Sequence, residues 1–188
     1  MARALAHYLI GALILLAVLV IGLIVFVYSG AYYIGADRPH TRPVLSLMRT
    51  LRERAIDSRA EDVQLPADLG DPAVIAKGAA RYDRMCTGCH LKPGQASGEL
   101  HTALYPQPPR LAGHRVEPRE AFWVIKHGIK MTAMPAWGEV DGDEELWSIV
   151  AFLQKLPSLD AQQYRAMVAS PAARSREAGG GAQEGEGQ

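Results

Sequence analysis

The sequence predicts an all-α protein in which one membrane-spanning helix precedes a small domain of about three main helices. Three observations support this class. A run of 19 apolar residues without charge extends from Leu9 to Val27. Farther along the chain, apolar residues recur at helical spacing, as at positions 146, 149, 150 and 153. No strand pattern stands out, and the segments between the helices are rich in Pro and Gly.

The composition excludes several classes of protein. The chain has 188 residues, with 20 Lys and Arg against 20 Asp and Glu, so its formal net charge is zero. This balance gives no basic field for nucleic acid and no acidic, solvating tail. A hydrophobic content of 48% argues against fibrous and fully disordered chains. Two cysteines are too few for a disulfide scaffold, although they would suffice for a single disulfide.

Residues 1–35 are predicted to form an N-terminal transmembrane anchor. A helix of 19 residues would be about 28 Å long, close to the hydrocarbon thickness of a bilayer. The competing interpretation is a secretory signal, with Arg3 as its basic start and cleavage near residues 29–31. The apolar run is longer than a signal usually contains, and three tyrosines within residues 28–33 resemble an interfacial aromatic belt. The anchor is therefore favoured.

Residues 36–70 are interpreted as a connector. Pro39 and Pro43 are expected to resist helix formation there. Apolar residues near helical spacing among several arginines predict a short amphipathic helix from Val44 to Ile56. The simplest role for this helix is a spacer. It could also lie on lipid headgroups or on a partner subunit.

A compact domain is predicted at residues 71–157, with three helices that have recognisable boundary signals. They extend from the Asp71 cap to about Arg84, from near Pro118 to the residue before Gly128, and from Asp141 or Asp143 to the residue before Pro157.

Residues 158–188 form a C-terminal extension. From about residue 170 this extension is predicted to be a disordered tail, because its Gly- and Ala-rich composition offers little to bury.

The only two cysteines belong to the segment Cys86-Thr87-Gly88-Cys89-His90. This is the pattern of c-type haem attachment. Two thiols at this spacing reach the two vinyl groups on one edge of the porphyrin, and the histidine that follows can bring its imidazole to the iron. The sequence therefore predicts one covalent haem c, bound through Cys86 and Cys89, with His90 as an iron ligand.

Three other interpretations of the motif have less support. A thioredoxin-like redox pair shares the spacing but requires a βαβ context. A zinc site would need a fourth ligand such as His101 or His114, and the adjacent donors Cys89 and His90 suit one tetrahedral ion poorly. A structural disulfide would leave the histidine unexplained. Apart from a zinc role, His101 and His114 are expected at the surface of the loop.

A second iron ligand is predicted in the loop between the second and third helices. A thioether raises the potential of haem iron, and the loop contains Met131 and Met134. Met134 is favoured because Pro135 stiffens the backbone after it. The generic alternative for a loop methionine is that it fills a gap in the core.

With these motifs in place, residues 71–157 resemble a class I cytochrome c domain of the compact bacterial type. The resemblance implies three helices wrapped around a covalent haem. It also implies a glycine and an aromatic before the attachment motif, matched by Gly78 and Tyr82, and an aromatic of the last helix, matched by Trp147 or Phe152.

The same resemblance supplies further candidate residues around the haem. The segment from Pro109 to Gly113 is similar to the family's Pro-x-Leu loop, which includes Leu111 here. By analogy, the Pro109 carbonyl would accept the proton on the outer nitrogen of His90 and so orient the ring. Trp137, three residues after Met134, is a candidate to line the haem.

The resemblance implies an electron-transfer protein rather than an enzyme. Combined with the predicted anchor, which lies outside the resemblance, it predicts a single-pass protein of the bacterial cytoplasmic membrane with its haem domain on the periplasmic side. Redox protein partners are expected, chiefly membrane complexes, and the charge balance predicts no nucleic acid as a partner. Positive charges at the two ends of the apolar helix do not decide this orientation, but haem attachment requires it. The alternatives are a haem subunit of a larger membrane oxidoreductase and, with less support, a haem-based sensor.

Overall fold

The computed structural model describes residues 2–170, and over that range the chain is helical with no strand. The helices are α1 Ala2–Tyr28, α2 Arg42–Ala60, α3 Pro72–Met85, α4 Thr87–His90, α5 Glu99–Ala103, α6 Pro118–His127, α7 Asp143–Lys155 and α8 Ala161–Val168. Short 3₁₀ turns occupy Trp137–Glu139 and Leu156–Ser158. The predicted all-α class is confirmed. The predicted disordered tail lies outside the described residues.

The chain divides into two compact units between Arg38 and Pro39. The first unit contains α1, whose segment Arg3–Tyr28 is long and apolar enough to cross a membrane. A window of 18 residues within this segment has a mean hydropathy of 3.3, and none of that window is buried. The helix is longer than the 19-residue apolar run because helix-forming residues extend it towards the N-terminus.

The second unit begins with α2, which is longer than predicted at both ends. Pro43 was expected to resist helix formation, but it lies in the first turn of α2, where its missing N–H is not needed. The helix packs against α6. Just beyond its end, the Arg119 guanidinium donates to the Glu61 carbonyl at 3.3 Å. The connector helix is thus part of the same compact unit as the three predicted helices.

Helices α3 and α7 cross closely and form the centre of this unit. At the crossing, a Cβ added to Gly78 would lie 1.8 Å from the Ser148 carbonyl oxygen, so only glycine allows the approach. Nearby, the rings of Tyr82 and Phe152 pack with centroids 5.3 Å apart. An ion pair of 2.7 Å joins Arg81 of α3 to the Asp141 carboxylate just before α7.

Helix α8 also packs against α3. It starts with a capping box, in which Asp160 and Gln163 satisfy each other's backbone N–H groups. The Tyr164 side chain is 2% exposed, and its hydroxyl donates to the Asp83 carboxylate at 2.7 Å. The first part of the C-terminal extension is therefore packed on the helix that leads into the attachment motif.

Candidate functional site

The attachment motif continues directly from α3 into the one-turn helix α4. The Cys86 N–H donates to the Tyr82 carbonyl at 2.9 Å, and the His90 N–H donates to the Cys86 carbonyl at 2.8 Å. Both thiols are free and partly buried. Burial, together with the neighbouring Cys89, raises the pKa of the Cys86 thiol to about 12. One continuous helical path thus carries the two thiols and the imidazole.

The His90 ring is oriented by a distant part of the chain. Its Nδ1 lies 2.8 Å from the Pro109 carbonyl oxygen, which can only accept, so Nδ1 carries the proton. The contact implied by the family resemblance is therefore present. Burial lowers the pKa of His90, while the Pro109 hydrogen bond opposes that shift and His101 reinforces it. A neutral imidazole protonated at Nδ1 leaves Nε2 available to a metal.

The residue after His90 is strained and firmly held. Leu91 has φ 62°, a region that non-glycine residues seldom adopt, and its side chain is 1% exposed. The Tyr82 hydroxyl donates to the Leu91 carbonyl at 2.7 Å. The family resemblance implies only that an aromatic residue such as Tyr82 precedes the attachment motif. In the structure it also stabilises the sharp turn that ends α4 beside His90.

The sequence predicts His101 at the surface of the loop, but this prediction is wrong. In the structure the His101 side chain is buried, with 6% of its surface exposed. Its Nδ1 lies 2.8 Å from the Cys89 carbonyl oxygen, so it donates a hydrogen bond to the motif itself. His101 belongs to α5, which has five residues and is too short to show a helical pattern. No sequence signal could have identified its role. His114 is exposed, as expected.

The loop after α6 is closed by its own hydrogen bonds. Gly128 has φ 64°, and a Cβ there would lie 2.7 Å from the Pro135 carbonyl carbon. The Ile129 N–H donates to the Met134 carbonyl at 3.1 Å. The Thr132 hydroxyl accepts from the Met134 N–H at 3.1 Å. This glycine and this network fix the backbone on both sides of Met134.

The two candidate methionines differ sharply in environment. Met131 is 92% exposed, whereas Met134 is partly buried and packs against the hydrophobic core. Leu111 and Trp137 pack against the same core, as does Cys86. Four of the residues predicted to surround a haem are therefore partly covered side chains that border one core.

The remaining aromatic candidates have structural partners. Trp147 stacks on Phe122 with ring centroids 4.1 Å apart, and Phe152 packs on Tyr82. Both residues lie on α7 and contact another helix, and Phe152 makes the contact with α3 that the resemblance implies.

The donor set fits a haem c group. His90 offers one ring nitrogen, Met134 offers a soft sulfur, and two free thiols lie at the attachment spacing. Within residues 2–170 there is no cluster of three or more His, Cys, Asp or Glu side chains suited to a metal ion. The residues present therefore match a porphyrin-borne iron better than a directly bound zinc.

A comparison with known protein families gives a match. Residues 73–153, a little under half of the chain, match the family model described as cytochrome c oxidase, cbb3-type, subunit III. No curated protein and no solved structure matches the chain. The matched segment extends from the first turn of α3 almost to the end of α7 and contains the attachment motif and the Met-Pro loop. Residues 73–153 are thus a class I c-type cytochrome domain, of a family that carries haem c and transfers electrons.

Proposed function

We propose that this protein is a membrane-tethered monohaem cytochrome that carries single electrons between redox partners on the outer side of the bacterial cytoplasmic membrane. The observation that carries the proposal is the attachment motif with its oriented histidine. Cys86, Cys89 and His90 follow one another on a helical path, and the Pro109 carbonyl binds the outer nitrogen of His90 at 2.8 Å. The apolar α1 supports the tether, because it can span a bilayer.

When bound, haem c supplies a one-electron ferric–ferrous couple. The residues of this chain hold and tune that couple. Cys86 and Cys89 would provide the thioether links, and His90 would offer Nε2 to the iron with Pro109 fixing the orientation of the ring. Met134 would offer its sulfur as the second ligand, from a backbone that the closed loop holds in place. Leu111 and Trp137 exclude water from the site.

Retention of haem on the unfolded chain tests the attachment. The protein boiled in SDS should keep haem peroxidase staining on its own band. Replacing both thiols, Cys86→Ala with Cys89→Ala, should abolish that staining. An intact wild-type band without stain would refute covalent attachment.

A second candidate function is a haem subunit of a larger membrane oxidoreductase. The matching family model supports it, because that model describes an oxidase subunit. Purification from native membranes in mild detergent separates the two candidates. A free carrier should elute alone, whereas a subunit should co-elute with the catalytic chains in constant ratio.

A further inference from the structure

The helix α2 has two apolar faces, of which α6 covers only one. On the covered side, Ala60 is 4% exposed and Ile56 is half-buried. On the other side, Leu47 is 68% exposed, Met48 45% and Leu51 61%. At about 100° per residue these three side chains fall within an arc of roughly 100°. A large apolar stripe left open on a helix that is already packed indicates a second contact surface.

The charges of α2 are arranged around this stripe. At the same angular spacing, Arg54 falls on one edge of the stripe and Arg59 on the other. Both acidic residues of the helix, Glu53 and Asp57, fall on the opposite half. Arg54 and Arg59 are exposed, so their guanidinium groups can extend past the stripe while their stems lie along it. The stripe therefore has a cationic border and no nearby carboxylate of its own helix.

Elsewhere in the second unit, up to residue 170, the exposed large apolar side chains lie on separate segments. They are Leu65, Leu100, Met131 and Val140. Within this part of the chain, α2 is the only helix that places several exposed large apolar side chains on one face.

Along the chain, α2 follows soon after the anchor. The His40 N–H donates to the Tyr105 hydroxyl at 2.9 Å, so the chain is attached to the domain from residue 40 onward. Only residues 29–39 remain as a tether after α1. Eleven residues span at most about 40 Å when fully extended. Because α2 starts at Arg42, it is the first helix that follows the tether along the chain.

We propose that the Leu47–Met48–Leu51 stripe of α2 lies in the surface of a bilayer that contains anionic phospholipid, with Arg54 and Arg59 at the headgroups. Helices of this kind bury their apolar face about 5–10 Å into the headgroup and acyl boundary and bind anionic lipid through flanking basic residues. The stripe is aliphatic and has no aromatic residue, unlike the anchor points typical of protein interfaces. Since α2 packs on α6, this contact would hold the whole haem domain in one orientation on the membrane.

The proposal rests on the proposed anchoring by α1, and a single-label experiment separates the two. The full holoprotein carries a nitroxide on Leu51→Cys, Leu47→Cys, Ser46→Cys or Val18→Cys, one at a time, with the native thiols blocked by haem. Ser46 is the matched control, exposed on α2 away from the stripe, and Val18 reports the middle of α1. Each variant is reconstituted in phosphatidylcholine vesicles with or without phosphatidylglycerol. Accessibility to oxygen is compared with accessibility to a water-soluble nickel chelate.

The expected result is an oxygen-to-nickel ratio several-fold higher at Leu51 and Leu47 than at Ser46, and higher with phosphatidylglycerol than without it. A low ratio at Leu51 with a high ratio at Val18 would overturn the placement of α2 and leave the anchor intact. A low ratio at Val18 would overturn the anchor and the placement together. Spin–spin broadening at Leu51 that grows with protein density would assign the stripe to a second copy. Immobilisation only in native membranes would assign it to a partner protein. Either of these outcomes would also overturn the proposal.

Discussion

At the scale of single residues, the site depends on which side chains the backbone holds in place. His90 and Met134 are the proposed iron ligands, and a hydrogen bond helps to hold each of them in place. The Pro109 carbonyl binds the His90 ring, and Thr132 binds the Met134 backbone. Met131, by contrast, is 92% exposed, so the core does not hold its side chain in place.

Replacing Met134 with Ala should therefore open the sixth coordination position. The oxidised protein should lose its sulfur-to-iron charge-transfer band, and the reduced protein should bind carbon monoxide. The reduction potential should fall, because a thioether ligand raises it. The fall should be on the order of tenths of a volt, within the roughly 0.8 V that axial ligands span. Absorption spectroscopy and a redox titration measure all three properties.

The matched control is Met131→Ala, which should leave the spectrum, carbon monoxide binding and the potential nearly unchanged. A large effect of Met131→Ala with a silent Met134→Ala would show that the ligand assignment is wrong. Ready carbon monoxide binding by the wild type would instead favour a ligand-binding sensor.

At the scale of the elements, the crossing of α3 and α7 determines how firmly the motif is supported. Gly78→Ala should destabilise the domain by about 2 kcal/mol or more, because the new methyl group would overlap the Ser148 carbonyl oxygen and force the two helices apart. Denaturant unfolding of the detergent-solubilised holoprotein, followed by circular dichroism, measures the change. Gly70→Ala is the control, since a Cβ there meets nothing within 4 Å. Equal effects of the two substitutions would refute the close crossing.

A second prediction at this scale concerns how much the contact between α8 and α3 stabilises the domain. Tyr164→Phe removes the hydrogen bond to Asp83 and keeps the buried ring. The expected loss is about 1 kcal/mol of unfolding free energy, since the Asp83 carboxylate is partly exposed. Tyr164→Ala should cost about 3–5 kcal/mol because it also empties a buried site. Urea titration of both variants at neutral pH distinguishes the hydrogen bond from the packing.

Because of Tyr164, the unfolding free energy is also expected to depend on pH in alkaline solution. Burial, reinforced by the Asp83 hydrogen bond, raises the pKa of Tyr164 above its ordinary value. Above pH about 10 the unfolded chain loses this proton while the folded chain retains it, so the unfolding free energy falls as pH rises. In Tyr164→Phe that decline should be shallower by up to about 1.4 kcal/mol per pH unit. Unfolding curves measured above pH 10 would show identical slopes if the group did not contribute.

At the scale of the whole molecule, the protein consists of an apolar helix and a separate helical unit that begins at Pro39. The proposed anchoring predicts that the mature protein keeps residues 1–31. Its intact mass should equal that of the 20.4 kDa chain plus one haem. A mass lower by the first 28–31 residues would show that α1 is a cleaved signal.

The orientation of the molecule can be measured separately. Protease added to intact spheroplasts should digest the haem domain, because the proposed topology places that domain on the outer side. Full protection until the cells are lysed would reverse the proposed topology. A cytoplasmic marker protein should survive the same treatment and serves as the control.

Local signals in the sequence were enough for the class of fold and for the chemistry of the motif. The Asp71 cap with Pro72 and the glycine after α6 act within a turn or two of chain, so they predicted α3 and α6 closely. The apolar run predicted that α1 exists, but the helix begins at Ala2, well before the run. The attachment motif is equally local, because thiol spacing along one helix decides whether it can reach a porphyrin.

Only the tertiary structure decided the features that depend on residues far apart in sequence. The burial of His101 under the motif, the 2.8 Å contact of His90 with Pro109 and the packing of α2 on α6 all join separate segments. The contrast between exposed Met131 and half-buried Met134 likewise depends on the core beneath the loop. Side-chain burial is a property of the assembled helices, whereas helix caps and covalent spacing are properties of the chain. This difference is why the motif could be identified from the sequence alone, whereas its supports became visible only in the folded domain.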